Sequence, residues 1–119
     1  MNTKIVIVDG IEFKTTLDEK YFDLNYAFRN TNIDIQMIYK FINSHTNIIK
    51  KMKNNPILYY DCDVYFTRDL FLISISCLSP ERYQKYNEII LKKFVQNGDW
   101  WRYNNHNYTN NNYVLYLFD

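Results

Sequence analysis

The apolar run Ile5-Val6-Ile7-Val8 gives way to Asp9-Gly10 and then to Ile11-Glu12-Phe13-Lys14-Thr15. An Asp-Gly pair between two such segments is a strong short-range hairpin signal, because both central residues of the favoured two-residue turn need positive φ. Strands are therefore expected at 4–8 and 11–15, with a third short strand around Tyr21-Phe22. Asp23 stands where a helix N-cap belongs, ahead of Leu24, Tyr26, Ala27 and Phe28, and the turn-forming Asn30-Thr31-Asn32 closes that helix. A second helix, capped by Asp34, is expected to reach about Lys53, with a restart near Ser44 left open, before Asn54-Asn55-Pro56 stops it.

The second helix has two unlike faces. Ile35, Ile38, Ile42, Ile49 and Met52 recur at helical spacing as a core stripe, whereas Gln36, Lys40, Asn43, Asn47, Lys50, Lys51 and Asn54 project the other way. At about 100° per residue these polar positions fall within roughly a quarter to a third of a turn.

Further on, 57–60 and 64–66 bracket Asp61-Cys62-Asp63, which reads as a second hairpin or as a strand leading into a helix. The run 70–78 is apolar almost throughout, and its length fits a buried helix or a strand equally. Ser79-Pro80-Glu81 then marks a helix start: Ser at the N-cap, Pro at the first position and an acid in the first turn. That helix carries Tyr83, Tyr86, Ile90 and Phe94 on one face, pairs Glu81 with Lys85 and Glu88 with Lys92, and ends at Asn97-Gly98. From Asp99 the character changes: Trp100-Trp101-Arg102-Tyr103 precedes an Asn-rich stretch at 104–112 and a strand-like apolar run at 113–118. The expected organisation is one small α+β domain over 1–98, with an aromatic and Asn-rich tail over 99–119. The domain has an N-terminal β-hairpin, a central helix-turn-helix-like pair, a second short hairpin and C-terminal helices. A chain of 119 residues suits a single core.

Composition narrows the function classes. Aromatic residues make up 18%, and twelve of them are tyrosines, which serve both core margins and partner-binding surfaces. The wealth of Asn, Ile, Lys and Tyr with little Gly, Ala and Pro resembles coding by an AT-rich genome, as in many large DNA viruses. Only Cys62 and Cys77 are present, which suits a reducing compartment. The N-terminal apolar run is too short for a signal-peptide core and no stretch could span a bilayer. An intracellular location is expected, host cytoplasm or nucleus if the protein is viral. The sequon at Asn107-Tyr108-Thr109 carries no weight without a secretory signal.

No catalytic set emerges. His45 and His106 are far apart, and a zinc site would need help from Cys62 or Cys77. Asp61 and Asp63 read as turn chemistry rather than as a cation site. The two glycines, Gly10 and Gly98, make no phosphate loop, and no Cys-His or Ser-His nucleophile set has a supporting motif. The expectation is a non-enzymatic protein without cofactor or metal.

The net charge of +1 gives no general attraction to nucleic acid, so binding must come from local clustering. Such a cluster exists: between Asp34 and Asp61 there is no carboxylate, while Lys40, Lys50, Lys51 and Lys53 are all present. Asn and Gln can hydrogen-bond adenine edges bidentately and Lys neutralises phosphate. Gln36, Lys40, Asn43, Asn47, Lys50, Lys51 and Lys53 are therefore the candidate contacts to duplex DNA. The alternative is a protein-interaction module using Trp100, Trp101 and Tyr103 with the Tyr-rich surface. A homodimer is compatible with either.

The residues also resemble the KilA-N domain of large DNA viruses and phages, related in fold to the fungal APSES domains, over about 5–95. Tyr21-Phe22-Asp23-Leu24-Asn25 is similar to the family's "yiNaT", with Asp for Asn. Tyr39-Lys40-Phe41-Ile42 occupies the place of "F-x-x-W-L". Tyr65-Phe66-Thr67-Arg68-Asp69-Leu70 and Cys77-Leu78-Ser79-Pro80-Glu81 echo "W-i-h-P-d-L-a" and "W-L-s-P-e-f". The resemblance implies a DNA-binding module whose surface includes the second helix and a Tyr59-Tyr60 hairpin as a wing.

Overall fold

The computed structural model of the chain describes residues 2–94. The tail expected from Asp99 onward, with Trp100, Trp101, Tyr103 and the closing strand, lies outside them, as does the expected helix end at Asn97-Gly98. Within the described residues the architecture is α+β. The elements in chain order are β1 (Thr3–Val8), β2 (Ile11–Thr16), β3 (Tyr21–Asp23), α1 (Leu24–Ala27), α2 (Ile35–Ser44), α3 (Thr46–Lys51), β4 (Ile57–Tyr60), β5 (Asp63–Thr67), α4 (Arg68–Leu78) and α5 (Pro80–Lys93). The strands form one antiparallel sheet in the order β1-β2-β3-β5-β4.

Both hairpins turn on two residues of positive φ, Asp9 (52°) with Gly10 (80°) and Asp61 (52°) with Cys62 (69°). This is the twist that matches the strands' own right-handed twist. Period two then sorts the side chains. Val6 opposite Phe13, Phe22 opposite Phe66 and Ile57 opposite Phe66 share the inner face, which α4 and α5 cover. Phe22 stacks on Phe71 of α4 at 5.0 Å, and Phe13 meets Tyr86 of α5 edge-on at 5.4 Å. Phe94 closes the cluster against Phe13 and Phe22. Such pairs add about 0.5–1.5 kcal/mol each beyond the area they bury.

The ambiguous run 70–78 is a helix. Leu70 to Ile75 are all buried, and a segment covered on every side must satisfy its own backbone groups, which a helix does without neighbours. Its hydroxyls are satisfied locally as well: Ser74 donates to the Phe71 carbonyl (2.6 Å) and Ser76 to that of Ile73 (2.7 Å).

Several expectations need correction. The first helix, α1, is a single turn that ends at Ala27 with Phe28 as cap, because Thr31 takes the Phe28 carbonyl through both its amide and its hydroxyl. It packs mainly on β2 and β5. The restart left open near Ser44 is present, with the break at His45 (φ −120°, ψ 27°), but the second segment stops at Lys51, so Lys53 lies beyond it. Of the expected core stripe only Ile38 is fully buried, joined by Phe41, while Ile35, Ile42, Ile49 and Met52 are half-buried at the core margin. At the start of α5 the Ser79 hydroxyl makes no cap hydrogen bond and instead donates to the Glu81 carboxylate at 2.8 Å. The pairs Glu81 with Lys85 and Glu88 with Lys92 are not among the ion pairs formed by the described residues.

Candidate functional site

Asp34 sets the start of α2 by accepting from the Met37 amide at 3.0 Å. Ile38 and Phe41 anchor the helix in the core, and α2 leans on α4. With the apolar side held, Gln36, Lys40 and Asn43 of α2 are exposed. Asn47, Lys50 and Lys51 of α3 are exposed too, as is Lys53 in the segment leading to β4. All seven sequence-derived candidates thus stand in solvent, on two short helices and a connector rather than on one continuous helix.

The break between the helices has a local cause. The His45 amide bonds the Ile42 carbonyl at 3.2 Å, three residues back, which frees the Phe41 carbonyl from its regular partner. Side chains take it up: His45 Nδ1 lies 2.8 Å from the Phe41 oxygen, and the Ser44 hydroxyl donates to the Lys40 and Phe41 carbonyls at 2.9 and 3.1 Å. Competition of this kind between polar side chains and helical hydrogen bonds ends helices.

The basic residues differ in their partners. Lys4, Lys14, Arg29 and Arg68 each sit against a carboxylate. Among the described residues Lys40, Lys50, Lys51 and Lys53 form no ion pair. The hairpin that follows, β4–β5, exposes Tyr59 (60%) and Tyr60 (38%).

Two arrangements escaped the sequence. On the outer face of the sheet, Asp23 is 1% exposed. Its Oδ1 caps α1 by accepting from the Tyr26 amide (3.0 Å), while its Oδ2 is buried without a hydrogen-bond partner. Asp63 adjoins it, and Lys14 Nζ lies 3.8 Å from Asp23 Oδ2 and 4.0 Å from Asp63 Oδ2. Burial first, then the neighbouring Asp63 carboxylate, push the Asp23 carboxyl up to about 7. Burial and the same two carboxylates raise the Tyr65 hydroxyl. A shared proton suits this pair, since a protonated Oδ2 gains a donor where two carboxylates offer only acceptors. The N-cap signal of Asp23 was legible, but nothing local announced its burial beside a residue forty positions away.

The second arrangement joins His45 to Cys77 of α4, with Nε2 and Sγ 3.8 Å apart. The sequence held both residues without a spacing to link them. Among the described residues no three of His, Cys, Asp and Glu are grouped to hold a metal ion. No described helix is long and apolar enough to cross a membrane. Comparison of the chain with family models, curated proteins and solved structures finds no match.

Proposed function

We propose that the protein is a DNA-binding domain that lays α2, α3 and the connector to β4 along duplex DNA. The observation that carries this reading is the exposure of Lys40, Lys50, Lys51 and Lys53, with Gln36, Asn43 and Asn47, along a segment, 35–60, that holds no carboxylate. The lysines neutralise phosphates, and the amides face base edges, with adenine the base they pair with best. The break at His45 divides the surface into two short segments, which suits contact with phosphates on a curved backbone.

The resemblance to KilA-N domains belongs to the same proposal. It draws support from where its segments fall: Tyr21 to Asn25 spans the β3–α1 joint, Tyr65 to Leu70 the β5–α4 joint, and Cys77 to Glu81 the α4–α5 joint. Asn25 has a structural duty there, since its Oδ1 accepts from the Val64 amide at 2.8 Å across 39 positions. A viral origin, suggested by composition, is part of this reading.

Titration with duplex DNA at two salt concentrations tests it. Four phosphate contacts give a slope of log K against log salt of about −3.6, so affinity falls about 150-fold between roughly 50 and 200 mM salt. No binding to duplex at low salt removes the proposal. The exposed Tyr59 and Tyr60 favour a second reading, capture of a protein partner through an aromatic surface, with Trp100, Trp101 and Tyr103 contributing from outside the described residues. Replacing Trp100 and Trp101 then abolishes partner capture, whereas Lys50→Glu with Lys51→Glu leaves it intact.

A further inference from the structure

We propose that Cys77 is a reactive thiol, served by His45 as its base, that captures organic disulfides bearing an anionic group as a mixed disulfide. The tautomer of His45 follows from its partners. A carbonyl oxygen only accepts, so the 2.8 Å contact from Nδ1 to the Phe41 oxygen places the ring proton on Nδ1 and leaves a lone pair on Nε2. That lone pair faces Cys77 Sγ at 3.8 Å, a hydrogen-bonding distance for sulfur. The ring is held in place by stacking on Phe41, with centroids 4.3 Å apart and planes 26° from parallel. Cys77 itself is a free, exposed thiol, so a reagent can reach it.

The step balances. The Cys77 proton moves to Nε2, and the thiolate attacks one sulfur of the disulfide. A new S–S bond forms as the old one breaks, and the departing thiolate recovers the proton from His45. The Cys77 sulfur is oxidised and the leaving thiol is the reduced product.

The surroundings select the reagent. Beside the two side chains, α2 and the end of α4 line an open groove of about 450 Å³ whose apolar walls include Met37, Phe41 and Leu78, with Lys40 as its charged residue. An aromatic or aliphatic disulfide fits the walls, and the Lys40 ammonium attracts an anionic substituent. Cys62 is the internal control. It is also free and exposed and stands in the β4–β5 turn, apart from the groove, but Asp61 and Asp63 flank it and repel an anionic reagent, so the neutral probe is the one that compares the two cysteines. The groove shares Lys40 with the proposed DNA surface, but the thiol chemistry does not require DNA binding.

The test compares Cys62→Ser, which leaves Cys77, with Cys77→Ser, which leaves Cys62. Rates are followed with dithiobis(nitrobenzoate) as the anionic probe and dithiodipyridine as the neutral one. With the neutral probe Cys77 should react about tenfold faster than Cys62 in the folded chain, and the two rates should converge in denaturant. In the Cys62→Ser background, His45→Phe keeps the stack on Phe41 and His45→Gln keeps a donor for its carbonyl. Each should slow Cys77 with both probes, and to the rate of Cys62 with the neutral one. Lys40→Gln should slow the anionic probe and leave the neutral one unchanged. Equal rates for the two cysteines in the folded chain, or an unchanged Cys77 rate in both His45 variants, overturn the proposal.

Discussion

Replacing Asp23 with Asn should flatten the pH dependence of stability on the neutral side. In the folded chain the Asp23 carboxyl keeps its proton up to about pH 7, against an ordinary value of 3.8. Between those values the native state holds a proton that the unfolded chain releases. Stability is therefore greatest at and below the ordinary carboxylate range and is lost as pH rises through about 7. The difference of about three units sets an upper limit of about 4 kcal/mol at 1.36 kcal/mol per unit. The half-buried Lys14 ammonium beside the carboxyl is partly screened by water. The expected loss between about pH 5 and pH 8 is therefore nearer 2 kcal/mol. Asp18, held below its ordinary value by the Thr16 hydroxyl, and Glu81, held down by a backbone amide and then Ser79, act in the opposite sense and only at more acid pH.

Asn suits the position because it remains a good N-cap for α1, and its amide gives the orphaned Oδ2 site a permanent donor toward Asp63. Urea unfolding followed by far-UV circular dichroism at a series of pH values measures the effect. Asp23→Asn should match the wild type near pH 5 and exceed it by about 2 kcal/mol near pH 8. A variant whose profile runs parallel to the wild type, or which is weaker at pH 8, refutes the shared proton.

The remaining predictions are simpler. Cys62→Gly should stabilise the β4–β5 hairpin by about 0.5–1 kcal/mol, read from the urea midpoint. A non-glycine residue at φ 69° is strained, and that relief outweighs the added flexibility of the unfolded chain. Phe71→Ala should cost about 3–5 kcal/mol, also by urea unfolding, since Phe71 is 0% exposed and packs on Phe13, Phe22 and Tyr86. Asp34→Ala should remove about 1 kcal/mol through loss of the α2 cap. Lys50→Gln with Lys51→Gln should lower the salt slope of duplex binding by about 2 while leaving the unfolding curve unchanged. An unaltered slope would detach those lysines from phosphate.

What was legible in the chain is what neighbours in sequence decide. Asp9-Gly10 gave a turn because one residue pair carries the needed φ values. Asp23 and Asp34 marked helix starts because a cap bonds an amide three residues on. Ser79-Pro80-Glu81 opened α5 because proline restricts φ locally, although the Ser79 hydroxyl went to Glu81 rather than to the helix end. The exposure of Lys50 and Lys51 was implied by the apolar positions around them, which had to face the core.

Tertiary structure decided the rest. The run 70–78 had no periodicity to choose helix over strand, and the choice came from the need to cover an already complete sheet face with a segment that satisfies its own backbone. The restart past Ser44 was left open for a different reason: the competition of the His45 ring nitrogen for the Phe41 carbonyl is local, but it is a balance of about 1 kcal/mol that spacing rules do not resolve. The burial of Asp23 beside Asp63, and the approach of His45 to Cys77 across 32 positions, depend on which strands and helices become neighbours. A residue's chemistry follows from its dielectric surroundings and its partners, and those exist only once distant parts of the chain have packed together.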